Sequence, residues 1–220
     1  MDWGILANNW RLLLSGLRVT IEISACAYVL AFALGTVIAT LRVAPNRVLQ
    51  AVGTAYVEFI RNVPLLVQIF FFYFGLPSIG IRFTAFQCGF LGLGIYTAAF
   101  IAETIRGGIL SVHRGQMEAA LASGMSYAKA MRLVILPQAF RAVIPALGNQ
   151  TLNLIKNSSL VSTIAVYDIL HSADTISSQT FAYFTSYTGA ALLYLCLTLP
   201  SAYAINRLER RMKTAAVQVV

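Results

Sequence analysis

The sequence predicts an all-α integral membrane protein with about five transmembrane helices and a short helix in one of its loops. Three observations lead there. Of 220 residues, 58% are hydrophobic and 11% charged, with a mean hydropathy of +0.74, whereas a soluble domain is about one-quarter charged. The charge-poor stretches are long and well separated, which gives several spans and not one anchor. The basic residues behind the net charge of +8 lie between the apolar runs. Topology therefore explains them, and no nucleic-acid partner is required.

The first span covers about 12–41 and is followed by Arg42, the turn Pro45-Asn46 and Arg47. It is too long for a cleavable signal peptide and lacks a small-residue cleavage site, so it is expected to be retained. The second covers about 51–77, rich in Phe toward its end and stopped by Gly75, Pro77 and Gly80. The third covers about 88–110. A basic loop, about 107–141, follows with Arg114, Lys129, Arg132 and Arg141 against Glu118. The fourth span is about 142–165. Residues 166–182 are polar and expected outside the membrane. The fifth is about 184–206, before the basic tail Arg207–Lys213. The two other loops, 76–88 and 166–182, hold Arg82 as their one Lys or Arg. The positive-inside rule then places the N-terminus outside and the C-terminus in the cytoplasm, with Arg11 and Arg18 weakly opposed. Cys26, Cys88 and Cys196 lie far apart in or beside apolar runs. They form no disulfide or zinc pattern and read as small buried residues.

Charge inside a bilayer is costly and needs a reason. Glu58 stands three residues before Arg61 in EFIR, and Glu103 three before Arg106 in ETIR. Residues three apart are neighbours on a helix, so each pair can neutralise itself. Glu58, Arg61 and Gln68 also fall within an arc of about 80° on a continuous helix. The pairs are either structural or part of a cluster that gates the pathway or touches substrate. In the fourth span Asn149, Gln150, Asn153, Lys156 and Asn157 share an arc of about 120°. Such a stripe faces water or polar protein, either as a substrate-lined cavity or through interhelical hydrogen bonds. His113 and His171 stand alone, so no metal site is expected. Ser158, Ser159, Ser162 and Thr163 have no base placed for them and read as packing or back-bonding residues, which leaves no catalytic residue. No phosphate-binding G-x-x-x-x-G-K-[ST] loop occurs, so the chain itself is not expected to hydrolyse ATP.

The basic loop carries one more pattern. Glu118-Ala119-Ala120, then Gly124, then Leu136-Pro137 match E-A-A-x-x-x-G-x₉-I-x-L-P, with Val134 at the Ile position. This resembles the signature loop of membrane subunits of bacterial ATP-binding-cassette importers. GLRVTIEIS from Gly16, EFIRNVPLLVQIFFFYFGLP from Glu58, AETIRGGILSVHRGQMEAA from Ala102 and KNSSLVSTI from Lys156 resemble the polar amino acid group of those permeases. That group carries histidine, glutamine, glutamate, arginine, opines and similar solutes. The resemblance covers nearly the whole chain.

It implies a single permease domain, 1–220, in the bacterial cytoplasmic membrane. The coupling loop, about 111–137, would hold a helix seated on an ATPase, with Glu118, Ala119, Ala120, Gly124 and Pro137 as its contacts and turns. Small residues allow close approach, Met117, Leu121 and Met125 form an apolar ridge, and Pro137 suits the first turn of the next helix. Implied partners are a second permease subunit, identical or not, two ATPase subunits that use ATP and Mg²⁺, and an extracytoplasmic amino acid-binding protein. No cofactor is expected on this chain. Lys156 with Asn149 and Asn153, joined by Gln68 and Glu103, is the expected substrate pathway, since a free amino acid presents a carboxylate and an ammonium. Glu58, Arg61 and Arg106 are the expected gating or structural ion pairs. An ion-coupled transporter or channel, and a non-transporting scaffold, are the alternatives. The first generally shows an inverted repeat, which is absent here, and the second has no need of a polar stripe.

Overall fold

The computed structural model describes residues 3–217, and every regular element among them is helical. Of the expected basic tail, the Arg211 and Lys213 side chains lie outside the described residues. Four stretches are long and apolar enough to cross a membrane: Trp10–Val43, Ala85–Leu110, Tyr127–Ile164 and Tyr183–Arg210. A bent pair, Arg47–Asn62 with Leu65–Ile79, makes a fifth if counted as one span.

A short helix α1 (Gly4–Asn8) leads into α2 (Trp10–Val43). At 34 residues, α2 is ~50 Å long against a hydrocarbon core of ~30 Å, so it tilts or projects. Its buried face includes Gly16, Thr20, Ala27, Ala31 and Gly35, mostly small and four to seven residues apart. Ala27, Ala31 and Gly35 lie along α5 (Ala85–Leu110), in the helix pair with the most extensive contact, whereas Gly16 and Thr20 meet residues 168–172. A Cβ on Gly35 would stand 2.8 Å from the Ala98 carbonyl oxygen, and one on Gly94 2.7 Å from Leu30. Lipid tails give no hydrophobic drive for helices to pair, so close van der Waals contact between small residues holds these two together. Thr84 and Gln87 start α5 with a reciprocal capping box.

The continuous second span expected from the sequence is broken. α3 (Arg47–Asn62) and α4 (Leu65–Phe70) meet at a bend of 100°. Pro64 has no N–H to donate, and Val63 before it is extended, at φ −103° and ψ 129°, as the residue before a proline prefers. Gln68 repairs the break: its Nε2 donates to the carbonyls of Ile60 (2.9 Å) and Val63 (3.0 Å), which the ended helix leaves without partners. The chain continues through a π-helical turn, Phe71–Gly75, and a 3-10 turn, Leu76–Ile79, and stops at Gly80 with φ +85°. Helical phase is lost at the bend, so Glu58 and Arg61 do not share a face with Gln68.

The fourth span starts earlier than expected. After α6 (Arg114–Ala122), α7 (Tyr127–Ala130) passes through a π-helical turn, Met131–Ile135, into α8 (Leu136–Asn157), and a 3-10 turn, Ser158–Ile164, ends it. Pro137 takes the second position of α8, in its first turn as expected, within a helical run that continues from α7. The π-helical turn ahead of it accommodates the missing N–H. Residues 166–182 are not a loop. They hold α9 (Ile169–Thr180), whose Ile169, Ala173 and Ile176 pack back on the bundle. α10 (Tyr183–Val217) leans on α8, where Gly148 meets Ile205, and leaves most of its surface outward. Cys88 is buried, but Cys26 and Cys196 are exposed. In lipid an apolar side chain gains nothing by burial in protein, so apolar sequence context did not decide their facing.

Candidate functional site

A cavity of about 550 Å³ opens between α5 and α8, lined by Tyr96, Thr97 and Phe100 from the first and Gln150, Asn153, Leu154, Lys156 and Asn157 from the second. The polar arc of α8 thus faces a space and is not used up in helix packing. Lys156 and Asn153 are exposed there, and Gln150 and Asn157 partly so. Tyr96 and Phe100 sit one turn apart with ring centroids 4.9 Å from each other. The guanidinium of Arg61, on α3, lies over the Phe100 ring at 5.2 Å. Tyr56 fixes α3 beside α5 by donating to the Ile95 carbonyl at 2.8 Å. The cavity therefore offers an ammonium, several amides that donate and accept, an aromatic wall and a second cation behind that wall.

Of the residues expected along a substrate path, Lys156 and Asn153 line this cavity. Asn149 is exposed on α8 but outside the lining, and Gln68 is buried at the α3–α4 break as a brace. Glu103 also lies elsewhere. Its carboxylate accepts from Arg42 Nη1 and from Arg106 Nε (3.2 Å) and Nη2. Arg42 is 8% exposed in this triad. The cluster fastens the last turn of α2 to the end of α5. Of the two expected pairs, Glu103–Arg106 forms and Glu58–Arg61 does not. Arg61 turns to the Phe100 ring, and Glu58 is approached by Asn62 Nδ2 at 3.5 Å. Sequence reasoning missed Tyr96, Thr97 and Phe100, although their spacing puts them on one helical face.

At the same end of the bundle as the Arg42 triad lies α6. His113 caps it, accepting from the Gly115 N–H through Nδ1 at 3.1 Å. Its far end closes in a Schellman turn: Gly124 N–H donates to Leu121 and Met125 N–H to Ala120. Gly124 has φ +82°, the left-handed region glycine enters freely. Glu118, Ala119, Leu121 and Ala122 are exposed, whereas Ala120 is 6% exposed and packed inward. The outward surface of this helix therefore combines small side chains around Leu121 with the polar Arg114, Gln116 and Glu118.

The opposite end is held by Asp168. It caps α9 by accepting from the His171 N–H at 2.9 Å, and it accepts from the Tyr194 hydroxyl at 3.1 Å. Thr20 on α2 accepts from the Ile169 N–H at 3.2 Å. Complete burial pushes the Asp168 carboxyl up to about 6, against the lowering effect of these hydrogen bonds. The hydroxyls of Ser158, Ser159, Ser162 and Thr163 each donate to the carbonyl three residues back.

Residues 31–214 match the family described as "Binding-protein-dependent transport system inner membrane component". The chain is 49% identical over 213 residues to the "Probable glutamine ABC transporter permease protein GlnM" of Bacillus subtilis, covering 97% of this chain and 99% of that protein. It is 37% identical to the "Glutamate/aspartate import permease protein GltJ" of Escherichia coli, covering 90% of this chain and 86% of that one. The crystal structure of an amino acid ABC transporter with histidines superposes with a TM-score of 0.92 at 37% identity, covering 96% of this chain and 99% of that chain. An inward-facing MetNI methionine transporter, at 20% identity and a TM-score of 0.74 over 92% of this chain and 97% of that one, shares the fold.

Proposed function

The chain belongs to the family of binding-protein-dependent transport system inner membrane components, and on that premise we propose that it is the permease subunit of an ATP-driven importer that moves a polar amino acid across the membrane by alternating access. The observation that carries this reading is the match along nearly the whole chain to amino acid permeases, 49% identical over 97% of its length. The cavity between α5 and α8 supplies the matching chemistry. Lys156 pairs with the substrate carboxylate, and the amide oxygens of Asn153, Gln150 and Asn157 accept from its ammonium.

In this reading α6 seats on an ATPase subunit, which binds ATP and Mg²⁺ and does the hydrolysis. Two permease subunits, two ATPases and an extracytoplasmic binding protein complete the importer. The N-terminus lies outside and the C-terminus in the cytoplasm, as the basic residues of α6–α8 and of the α10 end require. A cysteine at Ser178, exposed on α9, is then labelled from the outer face and one at Glu209 is not; the reverse pattern overturns this orientation. The central test is Lys156→Met. Uptake of amino acid in proteoliposomes should fall while the variant still assembles with its ATPase. Unchanged uptake would remove the cavity from the pathway, and loss of assembly would make the stripe structural.

A further inference from the structure

The charges around the cavity are one-sided. Lys156 stands in the lining, and Arg61 backs the wall through the Phe100 ring at 5.2 Å. No carboxylate lines the space among the described residues. Of the acids on neighbouring helices, Glu103 is held by Arg42 and Arg106, and Glu58 is turned toward Asn62. The remaining polar lining is neutral: Thr97, Gln150, Asn153, Asn157 and the Tyr96 hydroxyl.

We infer that this cavity selects an acidic amino acid and rejects a cationic one, an inference that rests on the cavity reading given above. A dicarboxylic amino acid brings two carboxylates and one ammonium. Lys156 takes one carboxylate and Arg61 attracts the other, while amide oxygens and the faces of Tyr96 and Phe100 receive the ammonium. Glutamine fills the same volume but offers Arg61 only a neutral amide. Arginine or lysine brings a second cation into a space that already holds one and has no acid to receive it. Like charges 6 Å apart at an effective dielectric of 20 weaken binding roughly a hundredfold.

The test is equilibrium binding of radiolabelled glutamate to the permease–ATPase complex in nanodiscs, without binding protein, so that only the membrane site is read. Glutamine should compete about tenfold more weakly than glutamate, and arginine about a hundredfold more weakly. Arg61→Gln should weaken glutamate about tenfold and leave glutamine within about threefold, whereas Lys156→Glu should let arginine compete. Lys156→Arg keeps the charge and should keep the order. Arginine competing as well as glutamate, glutamine binding as tightly as glutamate, or a glutamate-to-glutamine ratio unchanged in Arg61→Gln would overturn the charge preference alone. A wild-type complex that binds none of the three would overturn the cavity reading and this inference with it.

Discussion

Replacing Gly124 with isoleucine tests the α6 turn and its proposed docking together. The residue holds φ +82°, where a β-branched side chain is an outlier. Space inside the chain is not the obstacle, since a Cβ there meets nothing within 4 Å. The internal cost is therefore backbone strain, ~1–2 kcal/mol for an L-residue in the left-handed region. A chain anchored by several spans still inserts. Docking suffers more, because this turn aims the exposed face of α6. Overpacking against a partner costs docking ~1–3 kcal/mol, or roughly 5- to 150-fold in affinity. The assay is co-purification with the ATPase, then uptake and ATP consumption in the same proteoliposomes. Gly124→Ile should reach the membrane but bind the ATPase poorly, or bind it and hydrolyse ATP without uptake. Gly124→Asn, which tolerates the left-handed region, should keep most coupling. Gln179→Ala, exposed on α9, should change neither property. Normal uptake per ATP in Gly124→Ile would refute the reasoning.

Gln68→Leu removes both bonds that close the α3–α4 break and should cost about 1–3 kcal/mol, read as a lower Tm of the detergent-solubilised chain; an unchanged Tm would show that the bend holds itself. Glu103→Gln leaves the buried Arg42 without its counter-charge and should lower stability by about 1–3 kcal/mol. In a double-mutant cycle with Arg42→Gln the losses should be non-additive, and additive losses would sink the triad. Asp168, raised from 3.8 to about 6, binds its proton more tightly folded than unfolded. Its contribution is present below pH ~4, is lost as pH rises through about 6, and amounts to ~3 kcal/mol. Wild-type Tm should fall across that window, and Asp168→Asn should flatten this fall; equal slopes would refute the assignment.

What the sequence showed and what it hid divide along a physical line. Apolar length, charge-poor windows and the basic loop fix the helical membrane class because each is a local property of the chain. The α8 stripe was legible for the same reason: Asn153 and Lys156 are too polar to face lipid wherever the helix sits. Pro64 also carried a readable signal, but the apolar run around it suggested one span, and only the Gln68 bonds to Ile60 and Val63 explain how the bilayer tolerates the break. Two charges also escaped the local reading. Glu58 and Arg61 lie three apart on the intact helix α3 and could pair with each other. Arg61 reaches the ring of Phe100 across to α5 instead. Phe100 itself was invisible as a site residue, because an aromatic on an apolar span reads equally as lipid-facing. Its role depends on which helix lies beside it, and so on long-range contacts that no local pattern encodes. The same holds for Glu103. Its partner three residues on was predictable, but Arg42, 61 residues away along the chain, turns a pair into a joint between α2 and α5 and takes the carboxylate away from the cavity.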